Sequence, residues 1–179
     1  MNGPDPGDLG GADEAEAVLD TSWAGALAQN AGLDLVVSAS TNSTDGVYLS
    51  EEYIVDNNLA DIVSESYGGC EAEVTRAEAS QIETLAEEAV AQGMSFVVSA
   101  GDSGSAGCDD PGSSSATGPF SVNVLASTPY TVAVGGTEFN EHGKDGAYWR
   151  PQNGLSLGSA ISYIPEDVWN ESCSLAQCG

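Results

Sequence analysis

The chain has 179 residues and a mass of 18.2 kDa, enough for one domain with a buried core. Only Arg76, Lys144 and Arg150 are basic, against 28 Asp and Glu, and the formal net charge of -25 at pH 7 excludes nucleic acid and disfavours adhesion to an anionic membrane. Hydrophobic residues make up 41% of the chain and fall in dense runs, which argues against disorder, and no run reaches the apolar length of a membrane-spanning helix.

About the first 12 residues, rich in Gly, Pro and Asp, form a loop-like segment. A helix is predicted from Asp13 to Asn30, closed by Gly32, with Ala15, Leu19, Trp23, Ala26 and Leu27 as its buried stripe. The apolar run Leu33 to Ser38 reads as a buried strand, residues 39–47 as a polar turn, and Tyr48 to Asn58 as a helix. Asp61 to Ser66 is a second strand, ending in Tyr67-Gly68-Gly69. Val74 to Gln92 is the clearest helix: Ile82, Leu85, Ala86, Ala89 and Val90 share one face, and Glu83, Glu87 and Glu88 the other. Ser95 to Ala100 is an apolar strand that breaks at Gly101-Asp102-Ser103-Gly104, and Tyr130 to Val134 is a further strand. Strands alternating with helices predict a parallel sheet with right-handed crossovers. Beyond Gly135 the sequence is turn-rich and carries no strong period.

Two physical origins compete for the negative charge: solvation at high salt, or an acidic working environment. Carboxyl groups titrate near about 4, so half the charge would vanish there. Composition does not choose between them.

Three carboxyl groups stand out. Glu16 and Asp20 are four residues apart and face the same side of the first helix, Glu16 beside the apolar stripe and Asp20 at its margin. Two acids against an apolar face are costly unless they share a proton or serve a purpose. The alternative is a helix rotated so that both reach water. Asp102 follows a buried parallel strand, where α/β sheets place their sites; the alternative is an Asp that caps its loop. Gly101-Asp102-Ser103-Gly104 superficially matches the nucleophile segment of trypsin-like peptidases, but the α/β pattern is not a double β-barrel. The single histidine, His142, also lies downstream of the serine rather than upstream. Gly101, Gly104 and Gly107 do not give a dinucleotide loop. Asp109-Asp110-Pro111-Gly112 lacks the alternating ligands of a calcium loop.

The run Glu16-Ala17-Val18-Leu19-Asp20 with Trp23-Ala24-Gly25-Ala26 resembles the helix that carries the catalytic Glu and Asp of the sedolisins, the serine-carboxyl peptidases. Ser99-Ala100-Gly101-Asp102-Ser103-Gly104 with Gly107-Cys108-Asp109 resembles their oxyanion segment. Leu125 to Tyr130 and Val134-Gly135-Gly136-Thr137-Glu138-Phe139 are also similar to that family. The resemblance covers about Gly10 to Cys173 and implies an α/β, subtilisin-like three-layer fold with a mostly parallel sheet, incomplete at its C-terminus. It implies Glu16 as general base, Asp20 as the group that holds Glu16, and Asp102 as the oxyanion-site acid. It also implies Ser66, Tyr67 and Gly68 as the strand edge along the substrate. A Glu base and a protonated Asp donor suit acidic pH, where a histidine base would be charged.

The family's nucleophilic Ser comes from a Gly-Thr-Ser segment further downstream; here Gly136-Thr137 is followed by Glu138. Its calcium site and N-terminal propeptide are missing as well. Residues 1–179 are therefore expected to be the front portion of a catalytic domain, inactive alone and holding no cofactor, from an enzyme secreted in its complete form that acts on proteins or peptides. Met1 opens into Asn2-Gly3-Pro4-Asp5 without a signal peptide, so the chain is cytosolic or lacks its true beginning. Four cysteines permit two disulfides: Cys70 with Cys108 if their preceding strands are neighbours, and Cys173 with Cys178 in the tail 173–179; four free thiols are the alternative. His142 is expected at the surface, and Asn42 and Asn170 begin glycosylation sequons. The rival reading is a non-catalytic acidic α/β domain that binds peptides or a protein partner.

Overall fold

The computed structural model describes residues 3–110, 113, 115–141 and 143–169, so His142, Cys173, Cys178 and the Asn170 sequon lie outside the described residues. The chain divides into two compact units, Met1–Val134 and Gly135–Gly179.

The first unit contains helices α1 (Ala12–Leu27), α2 (Gly46–Asp56) and α3 (Arg76–Ala91) and strands β1 (Ile62–Glu65), β2 (Ser95–Ser99) and β3 (Val132–Val134). The strands form a parallel sheet in the order β1-β2-β3, with Val63 beside Phe96, Glu65 beside Val98, and Val98 beside Ala133. Side chains alternate along each strand, so this register sends Val63, Phe96 and Val98 to one face. There they meet Val55 of α2, Leu85 and Ala89 of α3, and Met94 and Ala126 in one core. Two caps fix where the covering helices begin. The Asp45 carboxylate accepts the Val47 N–H (2.9 Å) at the start of α2. At α3, Thr75 Oγ1 accepts the Glu78 N–H (3.3 Å) and Glu78 Oε2 accepts the Thr75 N–H (2.7 Å), a reciprocal capping box.

The α/β class and the parallel order are those predicted, but only one face of the sheet is covered. The opposite face leaves Ile62, Val132 and Val134 exposed, so the described residues build an open form of the expected layered fold. The run 33–38 forms no strand: it is irregular, with Leu33 and Leu35 about half exposed, because no backbone ladder takes it up beside β1. The predicted stripe of α1 also points the wrong way. Leu19, Trp23 and Leu27 are exposed, and the helix buries no residue fully.

In the second unit β4 (Thr137–Phe139) pairs antiparallel with β5 (Glu166–Val168), and α4 (Asp145–Tyr148) is a single turn. Phe139 meets Trp149 edge to face with ring centroids 5.7 Å apart, and the Trp149 indole donates to Glu141 at 2.6 Å. Three-residue strands carry too little alternation to be predicted, which is why this pairing was not expected from the sequence.

Candidate active site

The less exposed residues of α1 are Glu16, Ala17, Asp20, Thr21, Ala24 and Gly25. Small residues at positions 17 and 24 let this face approach the end of β1, where a face of Leu and Trp would stand further off. Glu16 and Asp20 thus lie on the less exposed face, while Leu19, Trp23 and Leu27 of the predicted buried stripe point outward.

Asp20 Oδ1 accepts the Ser66 hydroxyl at 2.9 Å, and Asp13 Oδ1 accepts the Tyr67 hydroxyl at 3.2 Å. The Tyr67 phenol is pushed above its ordinary pKa, first by burial, then by the bond to Asp13 and the charges of Asp13, Glu16 and Asp20. Glu16, Asp20, Ser66 and Tyr67 therefore form one cluster at the C-terminal end of β1, where a parallel sheet presents its ligands.

Gly68 follows in the same segment. A Cβ there would overlap the Asn123 amide, so the chain needs glycine for this approach. Asn123 was missed from sequence. Its Nδ2 donates to the carbonyls of Tyr67 (3.0 Å) and Ser99 (2.7 Å), and its Oδ1 accepts the N–H groups of Gly69 (3.2 Å) and Leu125 (3.1 Å). One buried amide thus ties the end of β1 to the end of β2 and uses both donors and its acceptor oxygen to do so. The available signal was a lone amide inside the apolar run Val122 to Leu125. Replacing Gly68 by Ala is expected to cost about 1–3 kcal/mol through overpacking against Asn123. Urea unfolding of the variant checks this, and an unchanged midpoint contradicts it.

The Cys70–Cys108 disulfide joins the loops after β1 and β2, with Cα atoms 4.9 Å apart. Between those loops runs the segment 121–124: Val124 N–H bonds to Gly69 O (3.0 Å), and Ser121 N–H to Ser105 O (3.0 Å). Asp102 sits on the β2 loop just after Gly101, whose φ of +94° suits glycine. It is exposed, and among the described residues no hydrogen bond links it to Glu16, Asp20 or Ser66. Asp109 is a loop anchor: Oδ1 accepts the N–H groups of Thr117 (2.7 Å) and Gly118 (2.9 Å), which hold its carboxyl below the usual range. Among the described residues no three His, Cys, Asp or Glu side chains converge on one point.

Residues 12–162 match the model of the subtilase family. Sedolisin from Pseudomonas sp. (strain 101) is 34% identical over 135 residues, 75% of this chain and 20% of that protein. Kumamolisin from Bacillus sp. (strain MN-32) is 27% identical over 174 residues, 94% of this chain and 30% of that protein. Among solved structures, Pseudomonas sedolisin (serine-carboxyl proteinase) complexed with two molecules of pseudo-iodotyrostatin is 27% identical, with a TM-score of 0.46 over 72% of this chain and 34% of that one. The chain thus spans about a fifth to a third of the length of the curated relatives it matches. On the strength of the match over residues 12–162, the chain belongs to the subtilase family.

Proposed function

We propose that the protein is a serine-type endopeptidase that works at acidic pH, acts on proteins or peptides outside the cytoplasm, and takes from this chain the acid half of its catalytic machinery. The observation that carries the reading is the Asp20–Ser66 hydrogen bond, with Glu16 one turn away on the same half-buried face of α1. Anchored at Ser66, Asp20 fixes the rotation of α1 and so the direction of Glu16. Glu16 is the base that takes the proton of a serine nucleophile, and Asp20 holds it in line. Asp102, when protonated, donates a hydrogen bond to the oxyanion of the tetrahedral intermediate. Ketosteroid isomerase uses a neutral carboxylic acid in the same role. Ser66, Tyr67 and Gly68 lie along the substrate backbone. The Cys70–Cys108 disulfide supports an oxidising compartment.

No Gly-Thr-Ser occurs among the 179 residues, so the nucleophile has to come from sequence beyond them. The test compares the 179-residue chain with a protein extended through a downstream Gly-Thr-Ser, using a fluorogenic peptide from pH 3 to 7. The extended protein is expected to hydrolyse the peptide at the acid end and the 179-residue chain not at all. Hydrolysis by the short chain, or none by the long one, overturns the proposal; the latter favours a non-catalytic peptide-binding domain.

A further inference from the structure

Glu65 occupies a position where its strand otherwise buries apolar side chains: its register partner is Val98, and Val63 precedes it on the same face. Both Glu65 carboxylate oxygens are buried without a hydrogen-bond donor among the described residues. The group facing them is Glu51 of α2, itself 6% exposed and set beside Ile82, Leu85, Ala86, Phe96 and Leu125. Two carboxylates cannot bond, because neither donates; one proton between them turns this contact into a hydrogen bond. The charged groups acting on Glu51 besides Glu65 are Asp45, which caps α2, and Glu52 of α2; Tyr48 of α2 feels Glu51, Glu52 and Glu88 of α3, and none of these groups is a cation. The pair can therefore be neutralised only by protons.

We propose that Glu51 and Glu65 share a proton across the contact between α2 and β1 and form an acid lock, which holds that contact when protonated and opens it when ionised. The pKa directions agree: burial first, then neighbouring negative charge, raises both groups above the ordinary carboxylate range, Glu51 to about 7 and Glu65 further. The unfolded chain gives up both protons near the ordinary glutamate value of about 4.3, whereas the folded pair keeps the one it shares. Stability is therefore fully present below that pH and is lost as pH rises from there through neutrality. One retained proton lowers the folding constant about tenfold for each pH unit. Because Ser66 follows Glu65 directly and points instead to Asp20, opening the lock also loosens the strand end that carries the α1 contact. The lock does not depend on the peptidase reading, as neither glutamate belongs to the site.

Urea unfolding of the 179-residue chain between pH 4.5 and 7.5, at fixed salt, tests it. The general repulsion of so acidic a chain is subtracted with Glu73→Gln, an exposed residue of equal charge. The wild type and Glu73→Gln are expected to lose stability with the same steep slope. Glu65→Gln should flatten that slope by about tenfold in folding constant per pH unit, since its amide donates to Glu51 without titrating. A slope as steep in Glu65→Gln as in the wild type overturns the lock, and so does a wild type without cooperative unfolding at pH 4.5. If Glu65→Gln does not fold, carboxyl carbon NMR of the wild type decides. A glutamate titration above pH 6 supports the lock; none above pH 6 refutes it.

Discussion

Replacing Cys70 and Cys108 by Ser is expected to lower the stability of the chain by about 4 kcal/mol, the loop-closure value for a separation of 38 residues. That is close to a thousandfold in the folding constant and a large share of the 5–15 kcal/mol that a typical domain has in total. The effect should be this large because the bridge joins the loops that follow β1 and β2, whose strand ends Asn123 also ties together. With the bridge gone, the segment 121–124 and the Asn123 amide still tie the loop carrying Asp102 to the end of β1. The check is the urea midpoint of the Cys70→Ser, Cys108→Ser double variant against the oxidised parent at pH 5. Equal midpoints would show that the loops are held without the bridge.

What the sequence disclosed about the fold follows from how local each signal is. Helix α3 was legible because its 3.6-residue period, with Ile82, Leu85, Ala86 and Ala89 on one face, lies within one stretch of chain, whereas its Thr75–Glu78 box emerged only from the structure. Strand β2 was legible as a dense apolar run ending at Gly101. The orientation of α1 was not. An apolar stripe predicts the buried face only when a core lies opposite it, and β1 ends there in Ser66 and Tyr67, which recruit acids instead. The run 33–38 failed for a related reason: apolar content makes a strand only where a ladder partner exists.

The candidate site was legible only in part. The spacing of Glu16 and Asp20 put both on one face, but nothing in the helix identified Ser66 as the partner of Asp20, 46 residues away. Cys70 with Cys108 depended on the two strands being neighbours, which only the sheet order supplies. Asn123 acquires meaning only when the ends of two strands converge on one amide. Glu51 and Glu65 are ordinary acids in an acidic chain until the α2–β1 contact buries them together.

In a protein that supplies the nucleophile, Glu16→Gln is expected to lower kcat by about 10²–10⁴, the usual weight of a general base, with little change in KM. The amide keeps the shape and the hydrogen-bonding reach of the side chain but cannot accept a proton, so binding survives and proton transfer does not. Asp20→Asn should fall in the same range for a different reason. Its amide can present an N–H to Ser66 or to Glu16 where the carboxylate presented an acceptor, and the alignment of Glu16 is then lost. Ser66→Ala separates the two effects: it removes the anchor at 2.9 Å from Asp20 while leaving both acids in place. A loss smaller than that of Asp20→Asn is expected, because Asp20 keeps its charge beside Glu16. The order Glu16→Gln and Asp20→Asn far below Ser66→Ala, measured as kcat at the acid optimum, is the signature of an acid pair positioned by a strand. Activity within twofold of wild type for Glu16→Gln would remove that residue from the chemistry, and the base would then have to be sought outside α1.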